Sequence, residues 1–206
     1  FAAIYHPVGI AWLVAAAKRQ GMTLGINGVF GSLGSAIAPV FVGVMIDYVS
    51  WRAAFIIPGI GAIFVGVVMA VCWRQGLVSD AKADRAPSPP PAPGAMRRVF
   101  FILSATMCAS GFVYSGVVTT MPKLFELGLG DGLATSYTQI GAYVGAVIGL
   151  ASFSSILGGW LADRYSARSI YIVFWLLTVP PVIMMITSTG SLLLAAALAA
   201  MFFNTT

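Results

Sequence analysis

The chain has 206 residues, of which 59% are hydrophobic and only 8% charged, and its mean hydropathy is +0.95. A soluble domain carries about 25% charged residues, so no water-soluble fold could bury this much apolar surface, and the bilayer is the solvent. The net charge of +5 and pI near 9.5 would suit a nucleic-acid partner, but the basic residues sit between apolar runs, where they set membrane topology instead. No nucleic acid is expected. Cys72 and Cys108 both lie inside apolar runs and read as small core residues rather than a disulfide framework.

Seven apolar segments follow one another: 1–17, 22–46, 53–73, 99–121, 139–162, 170–187 and 191–206. Each is continuously apolar rather than alternating, which points to helices and away from barrel strands. A crossing helix needs roughly 20 apolar residues, and the five inner segments reach that length. The first and last are shorter, and the sequence reads as cut inside them. The first also lacks a basic leader and is followed by Lys18 and Arg19, so it is no signal peptide.

The first segment holds the only histidine, in Ile4-Tyr5-His6-Pro7-Val8-Gly9. His6 precedes Lys18 by twelve positions, which places it about 18 Å from the boundary, near mid-membrane. An ionisable group there is a functional candidate. With an unperturbed pKa of about 6.5 it can exchange protons in the physiological range. The alternative is a neutral histidine bonded to a neighbouring helix. Tyr5 is its polar companion.

The second segment carries Gly25, Gly28, Gly31, Gly34, Ser35, Ala38, Pro39 and Gly43, small residues at spacings that let helix backbones approach closely. Pro39 removes a backbone bond and can bend the helix, and Asn27 is a polar candidate for a cavity wall. Trp51-Arg52-Ala53-Ala54-Phe55 opens the third segment. The stretch 75–98 is the only long loop and contains Pro87, Pro89, Pro90, Pro91 and Pro93, a composition that gives an extended tether. Three helices precede it and four follow. The expected division is residues 1–73, a linker at 74–98, and residues 99–206.

After the linker, Ser110, Tyr114 and Ser115 stand in the fourth segment, with Ser110 and Tyr114 four apart on one face. The fifth holds Gln139, Tyr143 and the series Gly141, Gly145 and Gly149, a glycine seam suited to close packing. Tyr114, Gln139 and Tyr143 are further cavity candidates, with interhelical hydrogen bonding as the plainer role. No Asp or Glu lies mid-segment. Asp47, Glu126 and Asp131 fall at helix ends or in loops and are expected to be solvated. No cofactor or metal is implied.

The fifth segment ends in Gly158-Gly159-Trp160-Leu161-Ala162-Asp163-Arg164-Tyr165-Ser166-Ala167-Arg168. Charges are costly in hydrocarbon, so this turn marks where the chain leaves the bilayer. Lys18, Arg19, Arg74, Lys82, Arg85, Arg97, Arg98, Arg164 and Arg168 fall on one side of the segments. Only Arg52 and Lys123 fall on the other, which accounts for all 11 basic residues. The positive-inside rule makes the first set cytoplasmic, including loops 18–21, 74–98 and 163–169. Asp163 is then at a cytoplasmic helix end, where its carboxylate can accept hydrogen bonds from the N-terminus of a neighbouring helix.

Gly159, Leu161, Ala162, Asp163, Arg164 and Arg168 match the loop motif Gly-x-Leu-Ala-Asp-Arg-x-Gly-Arg-Lys, with Ser166 and Ala167 departing from it. The chain thereby resembles the major facilitator superfamily, in which this motif follows helix two and recurs in degraded form after helix eight. The resemblance implies helices four to ten of a twelve-helix bundle, with the proline-rich tether joining its halves. Gly34, Pro39 and Gly43 are similar to the helix-five antiporter motif Gly-x-x-x-Gly-Pro-x-x-Gly-Gly, from which Ala38 and Val42 depart. The Trp51–Phe55 stretch is similar to the opening of helix six in efflux members. The surroundings of His6 resemble helix four of fosmidomycin-resistance-type transporters.

What the resemblance implies is a secondary active carrier of a small molecule in the cell inner or plasma membrane. It would work by alternating access, be coupled to protons, favour efflux, and be monomeric when complete. Gly159, Asp163, Arg164 and Arg168 would act as a conformational switch. An uptake carrier for a small organic anion or metabolite is the alternative, and a seven-helix receptor or sensor is the alternative of another class. A membrane-embedded enzyme would need clustered His, Asp, Glu or Ser–Lys pairs at helical spacing, and a lone His6 with no acid inside a segment argues against it.

Overall fold

The computed structural model of the protein describes residues 9–11, 13, 14, 17–77, 94–129 and 136–206. Tyr5, His6, Asp131 and most of the proline-rich tether lie outside the described residues. Beyond the helical residues 9–11, 13 and 14, seven helices have defined bounds among the described residues: α1 (Gln20–Tyr48), α2 (Ala53–Arg74), α3 (Ala95–Gly128), α4 (Tyr137–Ser152), α5 (Ser154–Ala162), α6 (Ala167–Thr187) and α7 (Gly190–Thr205). Among the described residues there is no strand. Among the described residues, five spans are long and apolar enough to cross a membrane: α1, α2, α3, α6, and α4 with α5 taken together. Helices are the form in which hydrocarbon tolerates a backbone, because every N–H is satisfied within the segment.

Pro39, Pro58, Pro122, Pro180 and Pro181 all lie inside helices, as membrane helices allow. The end of α2 is closed by two backbone bonds, Leu77 N–H to Cys72 O and Gly76 N–H to Trp73 O, both 3.0 Å. Gly76 has φ +71° between them, a left-handed cap that glycine adopts without steric cost.

Helix α3 is longer than its apolar run. It spans 34 residues, about 51 Å at 1.5 Å per residue, against roughly 30 Å of hydrocarbon. Lys123 and Glu126, expected at a helix end or in a loop, therefore stand inside the helix and pair at 3.0 Å, three residues apart. Hydropathy marks only the part of a helix that needs lipid, and α3 continues past it.

The segment 139–162 is interrupted at Phe153, which divides it into α4 and α5. Ile156 N–H bonds Phe153 O instead of the carbonyl four back, and the Ser152 hydroxyl donates to Gly149 O at 2.6 Å. The Thr205 hydroxyl on α7 reaches Ala151 O at 3.1 Å. Hydroxyls inserted into the carbonyl ladder are a recognised cause of helix bending.

The core lies where α3, α4, α6 and α7 meet. Met121 and Phe125 of α3 pack with Val144, Ile148 and Ala151 of α4, Met185 of α6, and Leu193, Ala197 and Met201 of α7. Ala196, Ala197 and Ala200 keep α7 thin enough for close approach. Helix α2 is the opposite case: apart from Ala54, it buries no residue. Its apolar side chains suit lipid contact.

Candidate transport interface

The most intimate packing in the protein joins α1 to α4 and α5, running antiparallel. Glycine makes it possible. A Cβ at Gly141 would collide with the backbone carbonyl of Pro39, and one at Gly43 with that of Tyr137. At Gly145 it would stand 2.5 Å from Ala36 O and 2.7 Å from Val40 Cγ2. Gly25 meets Ser155 O, and Gly21 and Gly159 face each other's carbonyls. The glycine seam expected on the fifth segment thus has its partner in the second, and it leaves backbone on backbone with few side chains to interlock.

The second segment's motif residues do not share this face. Pro39 and Gly43 lie on the seam, whereas nothing would meet a Cβ at Gly34 within 4 Å, and Gly31 is equally open. Positions 34 and 43 are nine residues apart, which at 100° per residue puts them on opposite sides of the helix.

Each end of the helix pair is held by one carboxylate. At the end carrying Lys18, Arg19, Arg164 and Arg168, Asp163 follows α5 and caps the N-terminus of α1. Gly21 N–H donates to its Oδ1 at 2.8 Å and Met22 N–H to its Oδ2 at 3.0 Å. A helix N-terminus has free N–H groups and a positive dipole end, so a carboxylate fits there on both counts. At the other end Asp47, near the end of α1, serves the N-terminus of α4. Its Oδ2 accepts from Thr138 N–H at 2.8 Å and from the Thr138 hydroxyl at 2.7 Å. The expectation that Asp47 is merely solvated is therefore corrected: it is hydrogen-bonded across the helix pair.

Sequence reasoning missed Asp47 and Thr138. Half of the signal was present in Ser136-Tyr137-Thr138-Gln139, a serine–glutamine N-cap pattern. In the structure the Ser136 hydroxyl accepts Gln139 N–H at 3.2 Å. That pattern announces a helix start whose free N–H groups want an acceptor. It does not say that the acceptor comes from position 47.

The remaining candidates are dispersed. Tyr114 and Tyr143 pack against the hydrophobic core. Ser110 is engaged with Tyr171 of α6 at 2.7 Å, and Tyr171 also reaches Thr106 O at 3.4 Å. Asn27 is half-buried on α1 and Gln139 is exposed in the first turn of α4. A cavity of about 210 Å³ between α3, α5, α6 and α7 is lined by Ser110, Tyr171, Phe174, Trp175, Thr178 and Asn204 among others. Asn27, Tyr114, Gln139 and Tyr143 do not line it. Arg164 lays its guanidinium 4.2 Å from the Trp160 ring centroid, and Arg168 is exposed in the first turn of α6. Among the described residues, no group of His, Cys, Asp and Glu could hold a metal ion.

Comparison with known proteins gives one family. The pattern of the Major Facilitator Superfamily matches residues 1–206, the whole chain. Neither the curated proteins nor the solved structures provide a match. With its all-helical bundle, its apolar spans and this full-length match, the chain belongs to the Major Facilitator Superfamily of membrane transporters.

Proposed function

We propose that this chain forms the central part of a proton-coupled carrier that exports a small molecule by alternating access. Residues 1–73 contribute the end of one half and residues 99–206 the start of the other, with 74–98 as a cytoplasmic tether. The observation that supports this reading is the construction of the α1 and α4–α5 pair. Its glycine seam permits the two helices to roll on each other. Among the described residues, its charged attachments are Asp163 at one end and Asp47 at the other.

A rocking carrier opens one end of such a pair while the other stays shut. Asp163 on the Gly21 and Met22 amides is the latch of the cytoplasmic end, and Arg164 and Arg168 keep that end at the membrane surface. Asp47 on Thr138 is the matching latch outside. Tyr5, His6, Asn27, Gln139 and Tyr143 supply polar groups to the substrate path, and His6 carries the proton. The working unit is a monomer in the cell inner or plasma membrane.

Single cysteines that leave both carboxylates in place test the rocking. Met22→Cys reports one end and Thr138→Cys the other. In energised membranes, substrate should raise labelling by a membrane-impermeant thiol reagent at one end while lowering it at the other. Parallel changes at both ends would refute the mechanism. Direction and coupling are tested by loading inverted vesicles and imposing a proton gradient. Export predicts accumulation that collapses with an uncoupler, and His6→Ala should abolish its pH dependence. Uptake is the second reading, favoured by the departures at Ala38 and Val42 from the antiporter pattern. It predicts the opposite flux.

A further inference from the structure

We propose that the recess formed by Lys18, Arg19, Met22, Trp160, Asp163 and Arg164 binds the phosphate group of an anionic phospholipid. The recess measures about 330 Å³ and lies where α1 begins and α5 ends. Three cations line it against one carboxylate, an excess of two positive charges, and that carboxylate is turned to the helix, since each of its oxygens accepts a backbone N–H of α1. Among the described residues the one ion pair is Lys123–Glu126, at the far end of α3, so none of Lys18, Arg19 and Arg164 is engaged in an ion pair there. The guanidinium carbon of Arg164 lies 4.2 Å from the centre of the Trp160 ring. That contact anchors at the recess a side chain whose planar fork of donors suits a phosphate.

The surroundings select a lipid over a free anion. The recess sits at the ends of two membrane spans, Gln20–Tyr48 and Tyr137–Ala162, the depth of phospholipid headgroups. Two apolar ridges descend from it into the membrane zone. Exposed Ile26 and Phe30 continue the line of Met22 on α1, four residues apart. Exposed Leu157 and Phe153 continue the line of Trp160 on α5 and its junction with α4. A cationic cup above exposed apolar side chains matches a phosphodiester carrying acyl chains, and basic pockets between membrane helices are known to hold such headgroups.

The test uses the purified full chain in a zwitterionic detergent, titrated with dioctanoyl-phosphatidylglycerol and followed by native mass spectrometry. Dioctanoyl-phosphatidylcholine and inorganic phosphate are the comparison ligands. Phosphatidylglycerol should bind the native chain more tightly than phosphatidylcholine, and inorganic phosphate in excess should not displace it. Each cation removed should weaken binding about fivefold, so Arg164→Gln and the double variant Lys18→Gln/Arg19→Gln both lose affinity. Circular dichroism confirms that the variants keep their helices. Arg164→Lys retains the charge without the planar fork and should fall between. Equal affinity for the two lipids, unchanged binding in the variants, or displacement by inorganic phosphate would each overturn the assignment, the last in favour of a free-anion site.

Discussion

Asp47 and Thr138 are 91 positions apart in sequence, yet one carboxylate oxygen of Asp47 accepts both the backbone N–H and the hydroxyl of Thr138. The amide is one of the free N–H groups that every helix N-terminus must satisfy, and here a neighbouring helix supplies the acceptor. Asp47→Ala should leave that amide open to water. Hydrogen exchange at Thr138 should then accelerate about fivefold relative to residues in the middle of α4, in line with the loss of a capping acceptor. Asp47→Asn retains an acceptor oxygen and should show a smaller change. Equal exchange in all three proteins would remove the clamp.

The contrast between the two clamps shows what a sequence can disclose. Asp163 announced itself because it sits in a compact charged turn, where hydropathy, charge sidedness and motif letters coincide. Its partner was legible only as the N-terminus of some helix. Asp47 sits alone at the end of an apolar run and carries no motif, so nothing local separates it from a solvated acid. The helices themselves were legible because lipid imposes a length and a hydropathy that any spanning segment must meet. The end of α3 was not, since beyond the hydrocarbon nothing in hydropathy requires a helix to stop. The glycine seam was visible on each helix separately, but its pairing depends on which faces meet. That is why Gly34 looked equivalent to Gly43 until the packing divided them.

That division makes a paired prediction. Gly141→Leu places a branched side chain against the Pro39 carbonyl and must push α1 away, an overpacking that costs about 1–3 kcal/mol or more. Gly34→Ala enters open space in a helix interior and should stabilise by about 0.5–1 kcal/mol. Thermal unfolding in detergent should therefore move in opposite directions for the two variants. A Gly34→Ala protein as damaged as Gly141→Leu would mean that the seam has been assigned to the wrong face.

Tyr171 ties α6 to α3 through Ser110 at 2.7 Å. In a membrane such interhelical bonds are worth about 0.6 kcal/mol on average. Tyr171→Phe keeps the ring and removes the bond, so the thermal midpoint should drop slightly and Ser110→Ala should add little further. A double variant whose loss equals the sum of two independent losses would show that the hydroxyls do not act as a pair.

Asp163 carries the sharpest functional consequence. Its two oxygens hold the first amides of α1, and Asn can replace only one of them as an acceptor, because its NH₂ group donates. Asp163→Asn should therefore loosen one end of the helix pair without disturbing the glycine seam. Expression and helical content should stay near those of the native protein. Transport should fall by about tenfold, a size typical of coupling between conformational states. With the latch weakened, the Met22–Asp163 end becomes more accessible to a membrane-impermeant thiol reagent applied at that end, read out at Met22→Cys. The same labelling at Thr138→Cys should decrease, because a carrier that spends more time open at one end spends less time open at the other. Labelling that rises at both ends together would mean that Asp163 supports the fold of the helix pair rather than its alternation.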